Sequence, residues 1–137
     1  MAVYMVNKTF TIDPNKPFFI FDTHGEWHAT LIGGCIWDCR GDYIGFVRGE
    51  NHDVYTEFGE WIGNLAKDGR IVRKRVIDER RPVLKDRPQR PTAKPKNLPA
   101  RSPLPPLTGE LGYHMIDVLD WDPDAFKSVP DLKDDLS

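Results

Sequence analysis

Four side chains of types that bind zinc lie close together in HGEWHATLIGGCIWDC, residues 24–39: His24, His28, Cys35 and Cys39. A tetrahedral zinc site needs four such nitrogen or sulfur donors within about 2.0–2.3 Å of one ion. The order H-x3-H-x6-C-x3-C opposes that, because common zinc fingers lead with the cysteine pair and use a longer intervening loop. On a helix His24 and His28 would share a face, but Gly25 and the β-rich surroundings argue against a helix there. No metal and no cofactor are expected. Four residues apart on a strand, Cys35 and Cys39 would lie ~13 Å from each other, too far to bond, so both are expected as free thiols.

Paired carboxylates are the other candidate chemistry, since Asp22 and Asp38 stand three residues before a glycine and Glu26, Asp42 and Glu60 directly after one, and acid–base catalysis uses such groups. Their recurrence with a repeated pattern favours a structural role: an Asp three residues before a turn glycine caps its own turn by accepting backbone N–H groups. No Ser/His/Asp or Cys/His arrangement stands out, and glycine-rich phosphate loops are absent. The chain does not read as an enzyme.

What must position these side chains is a pattern present in four copies: FDTHGEW (21–27), WDCRGDY (37–43), YTEFGEW (55–61) and LAKDGRI (65–71). Each has a large apolar residue, three variable residues, glycine, any residue and a second large apolar residue. Gly25, Gly41, Gly59 and Gly69 are placed to take the positive φ that closes a hairpin loop, so each copy is expected to be strand, turn and strand. Ala29, Gly45 and Gly63 follow the second aromatic by two residues in the first three copies, where a small residue permits close backbone approach. The fold expected is therefore all-β, a pseudo-symmetric array of glycine-centred hairpins forming a shallow barrel or flower, with fourfold symmetry the first guess. Phe21, Trp37, Tyr55 and Leu65, with Trp27, Tyr43, Trp61 and Ile71, would fall into rings as core or as the lining of an axial channel. Glycine spacings of 16, 18 and 10 residues make the units unequal.

Residues 17–75, and in them IFDTHGEWHATLIGG, WDCRGDYIGFVRG and YTEFGEWIG, resemble the four-fold β-flower proteins, with MORN-type hairpin repeats as the alternative. That resemblance implies hairpins about a central channel and, through the outline shared with the Tubby C-terminal fold, lipid binding. It implies no catalytic or binding residue, because the family offers no defined site motif to match.

Beyond the repeat the composition changes. Eight of the twelve prolines lie between Pro82 and Pro106, which divides the chain into a hairpin domain (1–81), a proline-rich basic connector (82–106) and an acidic C-terminal segment (107–137) packing on the domain, its last residues frayed. Proline favours an extended backbone, so the connector is expected as a semi-rigid spacer or a strap; its PLPP stretch also fits an SH3-type ligand, with the strap preferred. The net charge of −2 conceals blocks: 5 basic against 10 acidic residues in 1–69, 12 against 3 in 70–101, and 2 against 8 in 102–137. The basic block would attract anionic surfaces such as nucleic acid or lipid headgroups unless the acidic tail folds back and neutralises it. In GYHMIDVLDWDPDAF, Met115, Val118, Leu119 and Trp121 fit a helical stripe, and Ile116, Val118 and Asp120 fit one strand face.

The leading expectation is a non-enzymatic binding module taking a lipid or other apolar small molecule in an axial channel, with Arg70, Arg73, Lys74 and Arg75 holding an anionic group or facing an anionic membrane surface. The alternative is a structural or protein-interaction domain with a filled core, its tail docking on another protein or a second copy. Nucleic-acid binding through 70–101 is the weakest reading. No apolar run reaches the ~20 residues of a membrane helix and MAVYMVNKTF lacks a signal-peptide core, so a cytoplasmic location is expected.

Overall fold

The hairpin reading requires each copy to close on its glycine, and all four do. The computed structural model describes residues 10–76 and 81–127. Gly25, Gly41, Gly59 and Gly69 have φ of 82°, 89°, 88° and 93°, a left-handed conformation that costs an L side chain and not glycine. In every copy the glycine N–H donates to the carbonyl of the residue three before it: Asp22 (3.0 Å), Asp38 (2.9 Å), Thr56 (3.0 Å) and Ala66 (3.0 Å). That same residue donates its own N–H to the carbonyl of Glu26, Asp42, Glu60 or Arg70. This is the three-residue loop in which a type I turn ends on a left-handed glycine.

These turns link an eight-stranded antiparallel sheet whose order in space is its order in the chain. The strands are β1 (Phe18–Phe21), β2 (Trp27–Ile32), β3 (Cys35–Asp38), β4 (Tyr43–Arg48), β5 (Asp53–Thr56), β6 (Trp61–Leu65), β7 (Ile71–Lys74) and β8 (Met115–Asp117). The chain is thus nearly all β, with a single-turn helix α1 (Val118–Trp121) and a 3-10 turn at Ala125–Lys127. The acidic segment supplies first a strand, paired to β7 through Val72↔Asp117 and Arg73↔Ile116, and then a short helix; Met115 of the expected helical stripe lies in the strand, and Val118 and Asp120 of the expected strand face lie in the helix, so neither pattern runs through the segment.

The two apolar positions of each copy are cross-strand partners: Phe21↔Trp27, Trp37↔Tyr43, Tyr55↔Trp61 and Leu65↔Ile71. In the first three the register slips beside this pair, and in the fourth no shift occurs. The unequal glycine spacings account for a further difference. A step of 16 or 18 residues spans two strands and returns the next turn to the same end of the sheet. The step of 10 spans only β6, so the Gly69 turn lies at the opposite end and its hairpin shares β6 with the third copy.

Successive residues of a strand face opposite sides. Ile20, Ile36 and Val54 belong to the buried core, together with Ala29, Leu31, Ile62, Leu65, Ile71 and, from the C-terminal segment, Val118, Leu119, Ala125 and Phe126. This is the inner face. Phe21, Trp37 and Tyr55, each the next residue along its strand, lie on the outer face, buried beside their cross-strand partners Trp27, Tyr43 and Trp61. The sheet curls until its first hairpin meets its last strands: Phe21 N–H donates to the Gly69 carbonyl at 3.1 Å, and Thr23 bonds to Asp117.

Candidate functional site

The expected rings are divided between two faces. Leu65 and Ile71 are in the inner core, while the three aromatic pairs form separate outer clusters: Trp27 packs on Phe19 (6.1 Å between ring centroids), Trp37 on Tyr43 (5.9 Å), and Tyr55 stacks on Phe46 (5.1 Å). The physical reason is the shorter final step, which places the fourth copy's pair on the other side of the sheet.

The inner face, where an axial channel would run, is occupied by the chain's own C-terminal segment. The small residues expected to permit close approach lie under it. A Cβ on Gly45 would overlap the Tyr55 carbonyl oxygen and lie 3.1 Å from the Phe126 ring; one on Gly63 would lie 2.8 Å from the Val72 carbonyl oxygen and 3.2 Å from Val118. Glycine is required at both positions by space.

Of the four cations expected to hold an anion, three guanidinium groups are engaged by the chain itself. Arg70, 1% exposed, pairs with Asp68 (2.8 Å) and donates to Thr23 Oγ1 (3.3 Å) and to the Gly109 carbonyl (2.8 Å). Arg73 donates to the Lys74 carbonyl at 2.7 Å, and burial holds its guanidinium below its usual value. Arg75 donates to the Tyr113 carbonyl (2.8 Å) and lies between the rings of Tyr113 and Trp121, about 5 Å from each centroid. Lys74 is exposed.

The connector is a strap. From Arg81 it passes the turns of the third, second and first hairpins in that order. Arg81 stacks over Trp61 at 4.0 Å and pairs with Asp53 at 3.2 Å. The Leu84 N–H donates to the Gly59 carbonyl at 2.9 Å, and Arg90 pairs with Glu57 while lying over the Tyr43 ring at 5.7 Å. Lys94 reaches the Arg40 carbonyl, Asn97 the Asn15 carbonyl, and Pro105 lies against Gly25. Asp53 and Glu57, acids of the hairpin domain, neutralise strap arginines. The acidic tail was expected in that role; the excess of acids in residues 1–69 was the signal for these partners.

The opening stretch gives the only group of three or more metal-capable donors among the described residues, and it is not the two-histidine, two-cysteine set. Asp22, Glu26 and His28 bring their donor atoms within 4.8 Å of one another. Asp22 is already committed: Oδ1 accepts from the N–H groups of His24 (2.9 Å) and Glu26 (3.0 Å), and Oδ2 is 2.9 Å from His28 Nε2. Burial pushes its carboxyl up, but the His28 bond and charge and the two turn N–H groups outweigh it, so the group titrates below the usual carboxylate range. Asp38 caps the second turn in the same way, and Thr56 does so in the third through its hydroxyl. His24 pairs with Asp120 at 2.9 Å, and the Cys39 thiol faces the carbonyls of Trp27 and His28. Both cysteines are free. Burial raises each thiol, and Asp38 and Glu26 raise Cys39 further, which is the reverse of what activates a nucleophilic thiolate.

The surface also carries clefts, one of them beside the strap arginines Arg87 and Arg90, lined by Tyr43, Glu57 and Phe58. Another of about 220 Å³ lies beside His28, Cys39, Ile44, Leu119 and Phe126; a further one of about 610 Å³, at the opposite end of the sheet, is bounded by Phe10, Ile12, Leu31, Val47 and His52. Among the described residues no helix is long and apolar enough to cross a membrane. Compared with known proteins, the chain matches no family model, no curated protein and no solved structure.

Proposed function

We propose that this protein is a non-enzymatic protein-interaction domain with a filled core, and not a carrier of an apolar ligand on its axis. The observation that supports this reading is the seating of Val118, Leu119 and Phe126 on the inner face, against Gly45 and Gly63, in the space an acyl chain would need. The engagement of Arg70, Arg73 and Arg75 by groups of the same chain supports it from a second side, since a headgroup would have to displace those bonds. The raised thiols and the structural commitment of Asp22 favour a role without catalysis. The likeness to the four-fold β-flower proteins is part of the same proposal, supported by three hairpins whose turns share one end of the sheet.

The test is native mass spectrometry of the full chain incubated with palmitate, together with flotation on phosphatidylserine vesicles. The expected result is the bare chain mass and no salt-sensitive flotation. A stoichiometric palmitate complex would overturn the reading in favour of the axial ligand.

A further inference from the structure

The strap changes character after Ala100. Upstream it turns one residue in three or four toward the domain: Leu84, Pro88, Pro91, Pro95 and Leu98 are each partly buried. From Pro103 to Leu107 five residues in succession are exposed, Leu104 by 92% and Leu107 by 100%. A segment that served only to cover the sheet would turn its leucines inward, as Leu84 and Leu98 are turned.

The stretch is RSPLPPL, residues 101–107. Every residue from Ser102 to Pro106 is either proline, with φ fixed near −65°, or the residue before a proline, which sterics drive to the extended polyproline region. Such a chain has three residues per turn, so Arg101, Leu104 and Leu107 lie along one edge. The segment is held to the domain at its middle and just beyond its C-terminal end. Pro105 lies 3.0 Å from the place a Gly25 side chain would take, and the buried Arg70 holds the Gly109 carbonyl at 2.8 Å. The segment is thus ordered before any partner arrives, which lowers the entropy cost of docking.

We propose that residues 101–107 are a docking ligand for a domain of the SH3 type, whose groove is lined by aromatic rings and binds polyproline chains. Leu104 and Leu107, about 9 Å apart along the chain, fill successive apolar slots of that groove. Arg101 pairs with an acidic residue beside them. This proposal rests on the interaction-domain reading and names its partner class.

The experiment titrates the isotope-labelled full chain with each of a panel of purified SH3 domains and follows backbone amide shifts. At least one domain is expected to give saturable shifts centred on Arg101–Thr108. The double variant Leu104→Asp, Leu107→Asp is expected to bind about tenfold or more weakly with an unchanged thermal midpoint, because both side chains are in solvent in the free protein. No saturable binding by any domain of the panel, or a double variant that binds within about twofold of the parent, overturns the docking ligand. Either result leaves the filled-core reading standing, which falls only to a bound lipid.

Discussion

Asp117 in β8 accepts two hydrogen bonds from Thr23 in the first turn, from its backbone N–H at 2.6 Å and from its hydroxyl at 2.7 Å, joining parts of the chain 94 residues apart. The second carboxylate oxygen, Oδ1, is buried without a hydrogen-bond partner. Burial raises this carboxyl above its ordinary 3.8, against the opposing effect of the Thr23 bonds. The folded chain therefore holds a proton that the unfolded chain has released, and stability falls as pH rises from about 3.8 through the folded value. Asp117→Asn is expected to keep both Thr23 bonds and abolish this portion of the pH dependence. Asp117→Ala leaves the Thr23 donors unanswered and is expected to cost about 1–3 kcal/mol. Urea melts of the three proteins from pH 4 to 7 make the comparison.

Tyr43 gives the opposite end of the pH scale. Burial first, then Cys35 and Glu57, push its phenol up to about 12, against the opposing charges of Arg90 and Arg87. The unfolded phenol ionises near 10, so stability is expected to fall as pH rises between about 10 and 12. Tyr43→Phe should match the parent at pH 7 and lose less stability across that interval. Absorbance of the phenolate during the titration checks the folded value directly.

Close approach at Gly45 supports a steric prediction. Gly45→Ala forces a methyl group onto the Tyr55 carbonyl and the Phe126 ring, and overpacking of this kind costs typically 1–3 kcal/mol and sometimes more. The complementary variant Phe126→Ala empties the same space and is expected to cost about 3–5 kcal/mol. Thermal unfolding of each single variant measures both. If Phe126→Ala melts with the parent, the side chain does not belong to the core.

The strap arginines should act as a modest, salt-sensitive latch. Arg81 combines a stacked ring and a carboxylate partner at a site nearly half exposed, which supports a contribution of roughly 0.5–1 kcal/mol. Arg81→Ala is expected to destabilise by that amount in low salt and by less at 1 M salt, where screening extends to about 3 Å. An equal loss at both salt concentrations would assign the effect to packing alone.

The four turns were legible in the sequence because each one needs a chemically unusual residue at a fixed place: a glycine at positive φ, preceded by three positions by an Asp or Thr able to cap the loop in the first three copies. The cross-strand partners of the aromatic pairs follow from the same spacing. The face they occupy does not, because it depends on whether an odd or an even number of strands separates two turns, and a similar seven-residue pattern serves both cases. Phe126 was illegible for another reason. It stands in DWDPDAF, an acid-rich stretch without sustained periodicity, and its burial is decided by the glycines of distant strands. The strap contacts were half legible: excess charge of opposite sign in two blocks announces attraction, but charge alone does not say that Arg81 meets Asp53 or that Arg90 meets Glu57.

The central claim is that the C-terminal segment is an integral part of the fold and fills its inner face. Residue-resolved hydrogen exchange of the full chain tests it most directly, comparing the β7–β8 ladder and the Ala125 amide with the β3–β4 ladder. The expected result is protection in β8 and at Ala125 comparable to that of the central strands, lost together with them in a single cooperative opening. Exchange of residues 115–126 at the rate of a frayed end, with β3 and β4 still protected, would contradict it.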